Sequence, residues 1–520
     1  MSQSNPTNGE NWDLDEQVAA GADVSRRQTS AIIFCITCIT AIGNLLAALL
    51  TVCIPVIAAE LDIPQDIQLW PAAASALACG CTLLPCGAAA DVLGCRRACL
   101  VGALVQFASA LGAGLAQTST QLISLRALAG VAASCCLPGA VGVASRIFPA
   151  SNNPRRRNAA FAAMGGGQAV EFGLGLVLGG VCADTIGWRW GFYGTALLNG
   201  VVLAIAFWAL PSRADGAVGR SQLKRLRKEI DWFGALLISS SLALLSYELA
   251  IATGTDAREA LSEPLNIVLF CLAFALMPAF ALWMRRQTRL SRPALIPNAL
   301  WTNIPFTTVC SIVFMLWGSL NASEQLTALY LQDVLGKSAL TASLYFLPAP
   351  IVGILMNVAV GFMLPFMRPS IAVPAACLIS GVAPLLLALL CRVNGPSYWR
   401  GVFQAMALNP VGADLIYVVA NLVLTDAFPQ ETQALDGGIF NMLAQVGKSF
   451  GIATTRRASL CSGGSSMVAS SRTVPSGAAS NLLCNCDCVA PLSYAATIMR
   501  TTITTQKKIP LYQAGSQAGL

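Results

Sequence analysis

The chain contains no histidine, and only 11% of its 520 residues are charged, against about 25% in a soluble domain. Each shortage excludes something. Without imidazole, proton handling near neutral pH falls to Asp and Glu. A zinc site is not expected, even though Cys484, Cys486 and Cys488 form a CxCxC cluster, because the usual nitrogen partner is missing. So few charges, with 55% hydrophobic residues and a mean hydropathy of +0.65, exclude a water-soluble globular fold. A leader peptide is not legible: the first 27 residues are polar and acidic and lack a basic n-region and a cleavage site. No phosphate-binding loop or metal-ligand spacing is visible, so neither enzyme chemistry nor a cofactor, a metal or a nucleic-acid partner is expected.

What is present is a succession of apolar runs, each long enough to cross a hydrocarbon core of about 30 Å. The short alternating segments of a β-barrel are absent. The fold class expected is an all-α polytopic membrane protein. Spans are expected near 30–58, 68–89, 97–117, 121–144, 159–183, 189–210, 233–253, 265–284, 303–330, 342–366, 371–391, 400–424 and 433–454. Most cysteines, such as Cys35, Cys38, Cys79, Cys81, Cys135 and Cys136, fall inside these runs, where they act as small hydrophobes.

Basic residues set the sidedness. The even-numbered connections hold seventeen Lys and Arg, among them Arg96, Arg97, Arg146, Arg155 to Arg157 and Arg285, against five in the odd-numbered ones. The even connections and the N-terminus are therefore expected in the cytoplasm. The divisions expected are a polar tail over 1–29, a six-helix bundle over 30–210, a basic cytoplasmic loop over 211–232, two linking helices over 233–284, a second bundle of five recognisable spans over 303–454, and an atypical polar tail over 455–520. The LKRLRK segment of the central loop could lie on anionic headgroups, but a solvated linker is the simpler reading.

The connection between spans two and three reads GAAADVLGCRRACLVG from Gly87. Gly87 and Gly94 permit a tight turn. Asp91 can meet an arginine or a helix N-terminus and so latch one conformation, with Arg96 and Arg97 beside it. Span four, LISLRALAGVAAS, carries Arg126 inside the apolar run, a costly position that is usually paired or functional. Span five, GGGQAVEFGLGLVLGG over 165–180, places Gly175 and Gly179 four apart on one helix face, which lets two membrane helices approach closely.

These motifs resemble those of the major facilitator superfamily. The loop is similar to the signature GxLaDrxGrkxxl, with Gly87, Asp91 and Gly94 matching and Val92 and Cys95 standing where basic residues are usual. Span four resembles lxxxRxxqGxgaa through Leu122, Arg126 and Gly130, with Ala129 in place of Gln. Span five resembles the antiporter motif gxxxGPxxGG through Gly175, Gly179 and Gly180, with Leu176 replacing the proline and Glu171 a glycine. GWRWGFYGTALL, IDWFGALL and YLQDVLGKSALTASLYFLP look like the fourteen-span drug:proton antiporter branch, and LWPAAASALACGCTLLPCGAAAD resembles the fungal transporters related to aminotriazole resistance and to boron or ammonium export. The resemblance covers about 30–454. It implies two six-helix bundles around a central cavity, two further helices between them, and a role for Arg126 in proton transfer. Where a second copy of the loop motif would fall, GFMLPFMR over 361–368, Pro365 replaces the aspartate.

Glu171 lies four residues before Gly175, on the same side and about 18 Å along the span at 1.5 Å per residue. Two readings stay open: a proton-exchanging or cation-binding carboxylate, with Arg126 as a conceivable partner, or a protonated side chain bonded to a neighbour with no transport role. Asn321, Glu324 and Gln325 on span nine, Asp414 on span twelve and Asp436 on span thirteen are the candidates to line a cavity; bundle-facing hydrogen bonding is the alternative. Asn441, Gln445 and Lys448 are the other polar residues that mark span thirteen. After residue 455 nothing can span a bilayer, so the final span of a fourteen-span pattern is expected to be missing. A re-entrant thirteenth segment, a divergent tail, or an intron or frameshift in the coding sequence would each account for it, and the last is favoured.

The function expected is proton-coupled export, at the plasma membrane, of a small organic molecule such as a fungal secondary metabolite, toxin or xenobiotic. A transporter of borate or ammonium is the alternative. A non-transporting sensor on the same fold is a third reading, disfavoured by the short N-terminal tail and central loop.

Overall fold

A computed structural model describes residues 26–64, 67–148, 154–211, 224–226, 228, 230–252, 262–296, 298–302, 304–363, 369–390, 398–427 and 438–451. Asp436, the CxCxC cluster and the whole of 455–520 lie outside the described residues, as does most of the basic loop. The first bundle comprises α1 (Arg26–Glu60), α2 (Trp70–Leu93), α3 (Cys95–Gly114), α4 (Ser119–Ile147), α5 (Pro154–Asp184) and α6 (Trp188–Ala209). Two linking helices follow, α7 (Trp232–Ala252) and α8 (Pro264–Arg289). The second bundle holds α9 (Ile304–Leu329), α10 (Ala339–Met363), α11 (Pro369–Leu390), α12a (Val402–Leu408), α12b (Pro410–Ala427) and α13 over 438–451. Each sits on one of the expected apolar runs, and ten helices among the described residues are long and apolar enough to cross a membrane.

The interruptions follow from proline, which lacks an N–H and clashes with the preceding turn. Pro348 breaks α10 after Leu347, and Pro410 separates α12a from α12b at Asn409. Backbone groups freed in an apolar setting need partners. Here Ser380 of α11 supplies them: its hydroxyl donates to the Asn409 carbonyl at 2.9 Å and accepts from the Gly412 N–H at 2.6 Å.

Two ends of the first bundle are fixed by arginine. At the basic end, α2 and α3 are joined by Gly94 alone, whose φ of 110° suits glycine. Arg96 beside it donates to the carbonyl of Leu210 after α6 at 2.8 Å. At the opposite end, Arg189 at the start of α6 pairs with Glu60 at the close of α1, and Trp188 donates its indole N–H to the same carboxylate at 2.7 Å. The linking helices pack on each other through Ser241 and the Ala273 carbonyl, 2.9 Å, and lean on α2 through Ser239 and the Cys81 carbonyl. Most of α8 faces outward, with 17% of its apolar window buried against 72% for α4.

The helix that organises the rest is α5, which presents three faces. Val170, Leu174, Leu178 and Val181 are exposed and apolar, as a lipid face must be. Gly167, Gly175 and Gly179 lie on α1: a Cβ at these positions would collide with Thr37, the Leu45 carbonyl and Leu49. Gly165, Gly173 and Gly180 lie on the second bundle, against Asn357 and Tyr417, Pro350, and Ser343 with Leu340. One helix thus touches both bundles at backbone distance, which only glycine allows. Gly175→Leu is expected to destabilise the protein by about 1–3 kcal/mol or more through overpacking, while Leu174→Val on the lipid face leaves thermal unfolding in detergent unchanged.

Candidate functional site

A cavity of about 190 Å³ lies between the bundles, lined by α1, α2, α4 and α5 on one side and by α9, α10, α12b and α13 on the other. Its acidic and basic side chains are Arg126 of α4, Glu324 of α9, Asp414 of α12b and Lys448 of α13. Asn321 and Gln325 line it as well. Five of the expected residues, Arg126, Asn321, Glu324, Gln325 and Asp414, are therefore brought together, while Asp436 lies outside the described residues.

Each is placed by its helix. Arg126 is 3% exposed, and its Nε donates to the carbonyl of Pro71 at the start of α2 at 3.3 Å. Asn321 is turned back on its own helix, donating to the Trp317 carbonyl at 3.0 Å. Gln325 crosses between bundles and donates to the Thr51 hydroxyl of α1 at 3.1 Å. Glu324 lies within electrostatic reach of Lys448. Asp414 follows the helix break by one turn and rests against Gly353 of α10, where a Cβ would stand 2.9 Å from Oδ2.

Glu171 takes a different place. It is 8% exposed and does not line the cavity; it sits between Gly167 and Gly175 on the face of α5 that packs on α1, within electrostatic reach of Cys38. Its Oε2 has no hydrogen-bond partner among the described residues. A pairing of Glu171 with Arg126 is not among the described contacts.

Asp91, at the basic end, meets Arg146 in the last turn of α4, with Nη2 to Oδ1 at 3.0 Å. The described bonds of its sequence neighbours run elsewhere: Arg97 donates to the Leu93 carbonyl at 2.9 Å and Arg96 to the carbonyl after α6. The contact joins α2 to α4, a pairing that loop spacing does not reveal. Gly87 is buried within α2.

One cavity residue that links the bundles is not singled out by sequence reasoning. Gln168 of α5 accepts from the Asn44 amide of α1 at 2.9 Å and donates to the Tyr417 hydroxyl of α12b at 3.0 Å, a polar bridge from one bundle to the other. Lys448 marks span thirteen in the sequence, and the structure places it in the cavity wall. At the opposite end, Asp184 at the close of α5 accepts from the Leu340 N–H in the first turn of α10 at 3.0 Å. The bundles are thus tied together at that end.

The sequence profile of the Major Facilitator Superfamily matches residues 33–452. The chain belongs to this superfamily. A fungal relative, the MFS-type transporter 1 of Pyricularia oryzae, is 36% identical over 459 residues, covering 83% of this chain and 74% of the relative. The low affinity ammonium transporter of Saccharomyces cerevisiae is 24% identical, covering 74% of this chain and 72% of its own. The puromycin resistance protein pur8 of Streptomyces alboniger is 27% identical, covering 77% and 76% respectively. Among solved structures, a peptide transporter superposes with a TM-score of 0.62 at 13% identity, covering 95% of this chain and 99% of that one; this is a likeness of fold. The protein is thus an integral, multi-pass membrane transporter and not an enzyme. A bundle of a major facilitator that rocks as one body needs its helices tied at the ends, and the Asp91–Arg146 pair ties α2 to α4. In transport assays with membrane vesicles, Asp91→Asn, which neutralises one half of the pair, is expected to lower transport at least fivefold, and the charge-swapped pair Asp91→Arg with Arg146→Asp to recover part of it.

Proposed function

We propose that this transporter exports a small organic molecule in exchange for protons, by alternating access to the central cavity. The observation that carries the reading is the cavity itself. It lies between two bundles that meet through few polar bridges, and it is lined by buried ionisable groups, which are costly in an apolar protein and mark substrate or ion pathways. Rocking of one bundle against the other would expose it to each side in turn.

Arg126 in the cavity and Glu171 in the α1–α5 seam are the proton-coupling candidates. Glu171 has an oxygen without a partner in that seam, so the group can take up a proton while the seam is dry and release it when the seam meets water. Asp91 with Arg146, held by the turn at Gly94 and flanked by Gly87, Arg96 and Arg97, forms the conformational latch at the basic end. Asn321, Glu324, Gln325 and Asp414 contact the substrate from the second bundle. The basic connections favour a cytoplasmic N-terminus, and the plasma membrane is the site an exporter of this kind would occupy.

The resistance protein among the relatives supports a toxin, xenobiotic or secondary metabolite as the exported compound. A second reading, a small nitrogenous or inorganic solute, draws on the yeast ammonium transporter and on the modest 190 Å³ of the cavity, below the roughly 300–1,000 Å³ of drug-sized sites. Mass spectrometry of cells and medium separates the two. A compound retained by a strain lacking the gene, and released when the 520-residue chain is restored, would name an exported organic substrate. A growth change dependent only on supplied ammonium or borate would favour the second reading. In membrane vesicles, Glu171→Gln is expected to abolish the pH dependence of export; export with unchanged pH dependence would remove Glu171 from the proton path.

A further inference from the structure

The four charges of the cavity are not equivalent. Lys448 and Glu324 lie within electrostatic reach of each other on α13 and α9. Arg126, on the first bundle, is held to the Pro71 carbonyl. Asp414 forms no ion pair among the described residues; the Asn357 side chain lies near its carboxyl group, and its buried Oδ2 has no hydrogen-bond partner there. It stands one turn beyond the break at Asn409–Pro410, with the absence of a side chain at Gly353 making its room. Discontinuous helices at mid-depth are where transporters of inverted-repeat folds bind substrate and ions.

The cavity that Asp414 borders also has an aromatic wall. Tyr417 follows Asp414 by three residues on α12b, so the two share a helix face, and both line the cavity. The Tyr417 ring meets Phe440 of α13 edge to face at 5.5 Å, and Phe440 meets Trp317 of α9 in the same manner at 5.6 Å. All three rings line the cavity. A carboxylate that shares a cavity with aromatic rings stabilises an alkylated cation, whose charge is diffuse and whose surface is apolar, better than a small, strongly hydrated one.

We infer that the second-bundle half of the cavity is an organic-cation subsite, in which Asp414 neutralises a substituted ammonium group and Tyr417, Phe440 and Trp317 cover its alkyl surface. This deepens the reading of the cavity as the substrate path and rests on it. Among nitrogenous solutes the subsite selects alkylated amines over the bare ammonium ion, and it disfavours anions such as borate. Asp414 is here a specificity-determining residue.

The test uses the full chain, purified and reconstituted in nanodiscs, with choline as the probe and 3,3-dimethylbutan-1-ol, its uncharged isostere, as the control. Wild-type protein is expected to bind choline at least tenfold tighter than the isostere. Asp414→Asn should erase that difference, and Asp414→Glu should restore part of it. Trp317→Leu should weaken choline more than methylammonium. Equal binding of choline and isostere by wild type, or undiminished choline binding by a folded Asp414→Asn variant, would overturn the subsite. Either result would leave the metabolite comparison standing, because that comparison identifies the exported compound without presuming its charge.

Discussion

The close approach of α5 to α1 is the contact on which the rest of the structure depends. Gly167, Gly175 and Gly179 bring the backbone of α5 onto Thr37, Leu45 and Leu49. Lipid offers no hydrophobic drive for helix association, so membrane helices hold together by such packing and by polar bridges. With α1 fixed on one side, the other glycines of α5 are aimed at α10 and α12b. The same register sets Gln168 between Asn44 and Tyr417. The cavity opens beside this helix, and its walls are the two bundles that α5 joins.

Scarcity of charge is the second constraint. In a chain with 11% charged residues, the desolvation of a charge inside a span must be offset by a partner, a backbone group or water. Arg126 finds a carbonyl, Lys448 and Glu324 lie within electrostatic reach of each other, and Asp91 finds Arg146. Glu171 and Asp414 each keep an oxygen without a partner among the described residues. They differ in setting: Glu171 is enclosed by helix packing, whereas Asp414 borders the cavity. That difference is why the proposed proton path runs through the first and the proposed substrate cation rests on the second.

The architecture is legible in the sequence because hydropathy marks the helices, whereas the breaks before Pro348 and Pro410 are not, since Pro55, Pro85 and Pro138 sit inside continuous helices. The spacing of Gly175 and Gly179 puts Glu171 on the same helix face in the sequence, since residues four apart share a face. Gly180 reads as part of the same motif in sequence, yet it points to α10, as one residue turns the helix by about 100°. Arg146 counts in the sequence only as a basic loop residue, because its meeting with Asp91 depends on how α4 lies across α2. Tyr417 and Gln168 carry no special signal in their own spans. Their bond exists only once the register between two bundles is set, and periodicity within one helix cannot supply that.

If the bundles rock to open the cavity to each side, they must part at the end where Asp184 accepts from the Leu340 N–H. Electron–electron distance measurements between spin labels carried by bio-orthogonal side chains at Thr185 and Lys337, which flank that contact, test it most directly. The account predicts two distance populations in reconstituted protein, the shorter with the Asp184–Leu340 bond formed, and a shift toward the longer in Asp184→Ala. A single short distance, unchanged by pH and by that substitution, would contradict it.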